Sequence, residues 1–254
     1  MLTRQRKQHL LALLKRDGQI VAKVLSAELG LSEDTIRRDL RELAQEGLLQ
    51  RVHGGALPAS QALADFSQRR HVATDEKAAI ARAAAGLVAD GQVVFVDGGT
   101  TAVQWARALA PTLRATVITH SPSVAVELAG HAHVEVVIIG GRLFKHSVVA
   151  VGATAIESIA RFHADLYFMG VTGVHPQAGL TTGDMEEASV KRALMAAAAE
   201  TVVMASSEKL NAASPHVIAP LAQAATLVVS PQAPKATLAA CRKLGLQVVV
   251  APAG

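Results

Sequence analysis

Arg37, Arg38 and Arg41, with Gln45, share one side of a helix at ~100° per residue, and Ile36, Leu40 and Leu43 form an apolar stripe on the other. Guanidinium groups projecting from one helix face suit the phosphates and base edges of DNA. Ser32 is a good N-cap for this helix and Thr35 lies in its first turn. Glu33 and Asp34 sit where the positive end of a helix dipole favours acids. Gly47 suits the residue that ends the helix. The strand-like run Leu48–Val52 carries Arg51 and leads into His53-Gly54-Gly55, a tight turn or tip. The candidate DNA contacts are therefore Ser32, Thr35, Arg37, Arg38, Arg41, Arg51, His53 and Gly54. The alternative is an ordinary solvated face on which Asp34, Asp39 and Glu42 balance the arginines.

A second constellation could hold an anion. Asp97-Gly98-Gly99-Thr100-Thr101 follows the apolar strand Val93–Val96 and opens a helix. Two glycines let the backbone approach a ligand closely, the threonines offer hydroxyls, and the helix start offers free N–H groups. Phosphate is the matching guest. Gly140-Gly141-Arg142, after the strand Val134–Ile139, repeats the logic and adds a guanidinium. Neither loop is a Walker A or G-x-G-x-x-G sequence, so no motif supports a nucleoside triphosphate or a dinucleotide. The alternative for each Gly-Gly pair is a tight strand-to-helix turn with no ligand.

Glu187 precedes Lys191 by four residues, which alone suits a surface salt bridge, and Lys209 alone reads as a solvated loop lysine. His120, His131 and His133 make no convincing ligand set, and neither a metal nor another cofactor is expected. Cys241 is the only cysteine, which excludes an internal disulfide framework.

These residues need elements to position them. Leu10, Leu11, Leu13 and Leu14 give a first helix its apolar face, closed by Asp17-Gly18, and Val24–Leu29 forms a short second helix stopped by Gly30. A three-residue turn then reaches Ser32, as in a helix-turn-helix, and the ribbon that follows suits a wing. The first 58 residues carry ten Lys or Arg against seven Asp or Glu, so three of the chain's four net positive charges lie here. From Pro58 the composition changes, with Gln61 and Asp65 in a linker that has room for one helical turn. Beyond it, amphipathic helices alternate with continuous apolar strands, which predicts a parallel sheet covered on both faces. The division expected is 1–57 as a winged helix-turn-helix, 58–74 as linker and 75–254 as an α/β domain. No segment approaches the roughly 20 apolar residues of a membrane span.

Taken together, the residues resemble the DeoR family of bacterial sugar-metabolism repressors over essentially the whole chain. In the head the resemblance rests on Thr35-Ile36-Arg37-Arg38-Asp39-Leu40, Leu43, Gly47 and Val52-His53-Gly54-Gly55-Ala56. Further on it rests on Asp97–Thr101, Thr119 with Ser121, Gly140-Gly141, Gly152, Asp165 through Gly170-Val171, Gly173, Gly179, Glu187 with Lys191-Arg192, and Lys209. It implies an α/β sensor domain related to ribose-5-phosphate isomerase and coenzyme A transferase folds, double-stranded operator DNA as a partner, and a phosphorylated sugar or sugar-derived effector. It also implies pocket roles for Glu187 and Lys209. The candidate effector contacts are then Asp97, Gly98, Gly99, Thr100, Thr101, His120, Gly140, Gly141, Arg142, Glu187, Lys191 and Lys209.

Three departures bear on that pocket. His120 stands where the family usually has Asn, and Ser206 and Ser230 stand where it usually has Asp. The expected function is a cytoplasmic, non-enzymatic repressor of a carbohydrate-metabolism operon, assembled as a dimer or tetramer because DNA half-sites match protein symmetry. One alternative is a sugar-phosphate isomerase-like enzyme with a DNA-binding head, using Asp97, Glu187 or Lys209 for proton transfer. Another is a constitutive DNA-binding protein whose sensor has lost its ligand.

Overall fold

The protein is described by a computed structural model over residues 2–60 and 66–252. Gln61 and Asp65 of the expected linker lie outside the described residues. The head comprises α1 (Thr3–Asp17), β1 (Ile20–Val21), α2 (Ala22–Leu29), α3 (Glu33–Gln45), β2 (Leu49–Val52) and β3 (Gly55–Pro58). Its strands form an antiparallel sheet in the order β1-β3-β2. Leu10, Leu14, Leu25, Ile36, Leu40, Leu43 and Leu49 meet in one core, so the stripe on α3 is buried as its spacing requires. Two residues of β1 are too few to show an alternating pattern. Gly55 explains why the strand is there: a Cβ at this position would lie 1.7 Å from the Ile20 carbonyl oxygen, so only glycine admits the β1–β3 approach.

Asp39 departs from the solvated-face reading. It lies on the buried side of α3 and pairs with Arg6 of α1, whose Nη2 donates to Oδ1 at 3.0 Å while Nε donates to Oδ2. Three residues beyond Ile36, Asp39 falls on the same helical face as the stripe. The ion pair therefore fixes the angle of α3 against α1.

After one helical turn, α4 (Phe66–Arg69), the chain alternates through α5 (Thr74–Ala85), β4 (Val93–Val96), α6 (Thr100–Ala108), β5 (Ala115–Thr119), α7 (Pro122–Leu128) and β6 (Val134–Ile138). A hairpin, β7 (Arg142–Phe144) and β8 (Val149–Val151), precedes α8 (Ala153–Ile159) and β9 (Ala164–Gly170). Then follow β10 (Gly173–His175), β11 (Gly179–Thr182), α9 (Met185–Ala196), β12 (Ala198–Ala205), β13 (His216–Ala219), β14 (Thr226–Val229), α10 (Lys235–Lys243) and β15 (Gln247–Val250).

Seven strands form a parallel sheet in the order β15-β14-β12-β9-β4-β5-β6. Helices cover both faces, as the continuous apolar strands predict. Val94, Val96 and Phe168 pack with α5, α6 and α7, while Phe95, Tyr167 and Met169 pack with α8, α9 and α10. β10, β11 and β13 make a separate antiparallel sheet.

The structure differs from expectation at several places. Pro58, expected as the first linker residue, completes β3. Gly140-Gly141-Arg142 opens the β7–β8 hairpin and not a helix, so it lacks the free N–H groups of a helix start. Ala198 and Ala199 begin β12 despite alanine's helical preference, because Ala198 pairs with Ala164 of the neighbouring strand.

Candidate functional site

Two sites emerge, one on the head and one in the sensor. On the head, Ser32 caps α3: its Oγ accepts from the Thr35 amide at 3.2 Å and lies 2.9 Å from the Thr35 hydroxyl. Arg37 donates to Glu33 at 2.9 Å, one turn earlier. Arg38 and Arg41 are exposed, and with Asp34, Arg37, Arg51, His53 and Gly54 they line a single concavity between α3 and the β2–β3 tip. Helix and ribbon thus present one cationic surface, the arrangement of a winged helix-turn-helix against a groove and its flanking backbone.

In the sensor, Asp97 ends β4 and is wholly buried. Its Oδ1 accepts from the Gly98 amide and from His120 Nε2, both at 2.8 Å; its Oδ2 accepts from the Gly170 amide at 2.9 Å and from Lys191 Nζ. Burial opposes ionisation, but the Lys191 charge and the His120 hydrogen bond outweigh it and hold the Asp97 carboxyl far below the usual range. Lys191 shifts upward for the mirrored reason: burial is outweighed by Asp97 and Glu187. His120 places Nδ1 2.8 Å from the Ala150 carbonyl. The ring thereby spans the Asp97 carboxylate and the β8 backbone. Four donors saturate Asp97, and it organises the pocket floor from beneath.

Above that floor, a pocket is lined by Gly98, Gly99, Thr100 and Thr101, by Glu187, Lys191 and Lys209, and by Arg69, Lys77 and Ser147. Gly98 packs so closely that a Cβ would meet Val149 at 2.1 Å, and Gly99 has φ 108° as it caps α6. The Thr101 hydroxyl is buried in this wall without a hydrogen-bond partner among the described residues. Glu187 accepts from Thr182 Oγ1 at 3.0 Å and lies 3.5 Å from Lys191 Nζ. Both residues are buried, so their pair is not the surface salt bridge that spacing alone suits.

Lys209 is 6% exposed, and its ammonium makes no hydrogen bond among the described residues. It is not the solvated lysine expected. Burial lowers its pKa to about 8, partly offset by Glu208 and deepened by Lys77, Arg69 and Lys191. A charge in this position is repelled from three sides and invites an anion. Ser206 and Ser230, which stand where the family usually has Asp, each lie beside a glutamate. Ser206 donates to Glu208 at 2.7 Å, and Ser230 donates to Glu76 at 2.6 Å.

Of the candidate effector contacts, Gly98–Thr101, Glu187, Lys191 and Lys209 converge. Asp97 and His120 lie behind the wall. Gly140, Gly141 and Arg142 fall outside the lining, and Arg142 is exposed and pairs with Glu186. The sequence reading missed Arg69, Ser147 and Lys77. Lys77 carried a signal: with Ile80, Ala81 and Ala84 it forms a buried stripe on α5, and a lysine on an apolar stripe is unusual. Among the described residues no group of His, Cys, Asp or Glu side chains is arranged to hold a metal.

Residues 6–62 match the DeoR-like helix-turn-helix domain, and residues 72–231 match the DeoR C terminal sensor domain. The chain is 38% identical over 214 residues to the HTH-type transcriptional regulator GlpR of Haloferax volcanii, covering 83% of each. It is 32% identical to the glycerol-3-phosphate regulon repressor of Escherichia coli, covering 75% of this chain and 76% of that one. Among solved structures, ribose 5-phosphate isomerase A of Methanocaldococcus jannaschii matches with a TM-score of 0.39 and 20% identity over 53% of each chain. Head, sensor and full-length relatives agree: the chain belongs to the DeoR family of transcriptional regulators.

Proposed function

We propose that this regulator is a repressor of a carbohydrate-metabolism operon, released from or fixed to its operator by a phosphorylated sugar or polyol. The observation that carries this reading is Lys209, a buried lysine whose ammonium makes no hydrogen bond among the described residues and which lines the pocket with Lys77, Arg69 and the start of α6. Phosphate would satisfy the free N–H groups at Gly99–Thr101 and the Thr101 hydroxyl while neutralising the clustered cations. Glu187 supplies an acceptor for sugar hydroxyls. The name of the Escherichia coli relative, the glycerol-3-phosphate regulon repressor, supports a small phosphorylated carbohydrate. The operator contacts would be Arg37, Arg38 and Arg41 on α3 and Arg51, His53 and Gly54 in the wing, with Ser32 and Thr35 ordering the helix start. A homodimer or tetramer would match paired half-sites. An isomerase is less well supported, because Asp97 spends both oxygens on internal donors and has no lone pair directed at a substrate.

The test is a calorimetric titration of glycerol 3-phosphate and ribose 5-phosphate, each against its dephosphorylated parent. Phosphorylated forms should bind at least about tenfold more tightly, and Lys209→Ala should abolish the difference. Equal affinity for phosphorylated and free sugars would refute the pocket assignment.

A further inference from the structure

The segment joining head and sensor is fixed at both ends to structure that the anion pocket shares. At its start, Pro58, Ala59 and Ser60 continue the wing strand β3 onto the sensor. Ala59 pairs with Ala213, the Ser60 amide donates to the Ala213 carbonyl at 3.3 Å, and the Ala213 amide donates to the Pro58 carbonyl at 3.3 Å. The Ser60 hydroxyl, buried, donates to the Thr172 carbonyl. Thr172 lines the anion pocket, and its own hydroxyl lies 2.7 Å from Ser214 Oγ.

At its end the same segment supplies pocket wall. Arg69 Nη2 reaches the His146 carbonyl at 3.4 Å and the Ser147 hydroxyl at 3.3 Å, and both Arg69 and Val72 line the pocket. Lys77 holds the segment down by donating to the Arg69 carbonyl at 2.8 Å and to the Val72 carbonyl. Its charge is thereby shared between the segment and the cavity.

We infer that Arg69 is an effector-contacting residue, and that pocket occupancy reaches the wing through Thr172 and the hydrogen bond it accepts from Ser60. The inference rests on the anion-pocket reading above. An anion that draws in Arg69 and competes for Lys77 acts on the segment's far end. The Ser60 anchor makes the wing sense any shift of Thr172 and the strand it begins. A ligand biases DNA binding only by its differential affinity for two arrangements of this joint. Placing one of the cations that would contact the ligand on the joint itself supplies that difference directly.

The experiment is hydrogen–deuterium exchange on the full-length protein with ribose 5-phosphate and, separately, inorganic phosphate. In the wild type either probe should slow exchange across residues 66–77 and change it across residues 49–60. Ser60→Ala should keep the first response with an unchanged midpoint and lose the second. Ser60→Thr, which keeps a hydroxyl, should restore it. Arg69→Gln should raise the midpoint about tenfold, and Arg69→Lys should recover part of that loss. A wing response that survives Ser60→Ala overturns the coupling. A midpoint unmoved by Arg69→Gln, but raised by Lys209→Ala, leaves the pocket standing and removes Arg69 from it. No slowing by either probe at residues 66–77 or 98–101 refutes the pocket itself.

Discussion

Lys191 on α9 ion-pairs with Asp97 at the end of β4, ninety-four residues earlier, and both side chains are buried. The pair locks the helix that carries Glu187 to the strand that opens into Gly98-Gly99. Taking two charges out of water costs several kcal/mol per ion, and here hydrogen bonds from Gly98, Gly170 and His120 supplement the attraction. The wall that carries Glu187 and the wall formed by Gly98–Thr101 are therefore held in register by one contact.

Removing the Asp97 charge should be costly. Asp97→Asn leaves the buried Lys191 with only Glu187, 3.5 Å away, as a counter-charge, and a loss of about 3–5 kcal/mol is expected in urea unfolding. Adding Lys191→Met should recover part of that loss, because the two positions act as a unit. Because its pKa in the folded state is depressed, Asp97 contributes stability above its unfolded value, and this is lost only as pH falls through the lower folded value. The Asp97→Asn penalty should accordingly shrink as pH falls below about 4, and a change of under about 1 kcal/mol at neutral pH would contradict this role.

Anion affinity should depend on pH in a defined direction. The empty-pocket Lys209 has a pKa lowered to about 8, so it is charged below that value and loses its proton above it. A phosphate monoester gains its second charge near pH 6. Affinity should therefore rise from about pH 5 to 7 and fall above pH 8. Lys209→Arg should remove the alkaline fall, since arginine stays protonated. Isothermal titration across this range is the check, and an alkaline limb retained in Lys209→Arg would assign it to another group.

Much of this architecture is legible in the residues because its signals are local. Ser32 as a cap, Gly30 and Gly47 as stops, and the Ile36–Leu43 stripe define the recognition helix without tertiary information. The parallel sheet is legible because strands buried on both faces read as unbroken apolar runs. What escapes the sequence is set by partners far along the chain. Asp39 looks like one of several surface acids until Arg6 is seen against it. Glu187–Lys191 has the spacing of a surface pair, and only the packing of α9 against β9, β12 and the β11–β13 strands buries it. The β7–β8 hairpin and the β10-β11-β13 sheet are built from strands of three or four residues, too short to display a period. The misreading of Gly140-Gly141 follows directly, since what succeeds the loop decides whether free N–H groups are present.

The head should separate base reading from phosphate contact. Arg38→Ala should weaken operator binding by about 1–3 kcal/mol and relax sequence preference if it reads a base. If it touches phosphate alone, affinity should fall for all duplexes and the salt slope should shrink by about one. Gel shifts over a range of salt distinguish these outcomes, and unchanged affinity in both Arg37→Ala and Arg38→Ala would eliminate α3 as the recognition helix.

Trp105, the only tryptophan, offers an internal reporter. It is fully buried on α6, one turn beyond Thr101, with its ring centroid 4.9 Å from that of Phe168. Occupancy at the start of α6 should alter its emission, with the same midpoint as the calorimetric signal. Lys209→Ala should move both midpoints together. Emission that stays constant through saturation would show that α6 does not respond to the ligand.

We propose that a phosphorylated carbohydrate bound in the sensor controls sequence-specific DNA binding by the head. It is tested most directly by selecting bound duplexes from a randomised pool with full-length protein, then measuring affinity for the winner with and without a panel of sugar phosphates. The selected site should contain two related half-sites, and its affinity should shift at least about tenfold with one or more sugar phosphates in the wild type but not in Lys209→Ala. Selection of no preferred sequence, or an affinity indifferent to every phosphate in the panel, would contradict it.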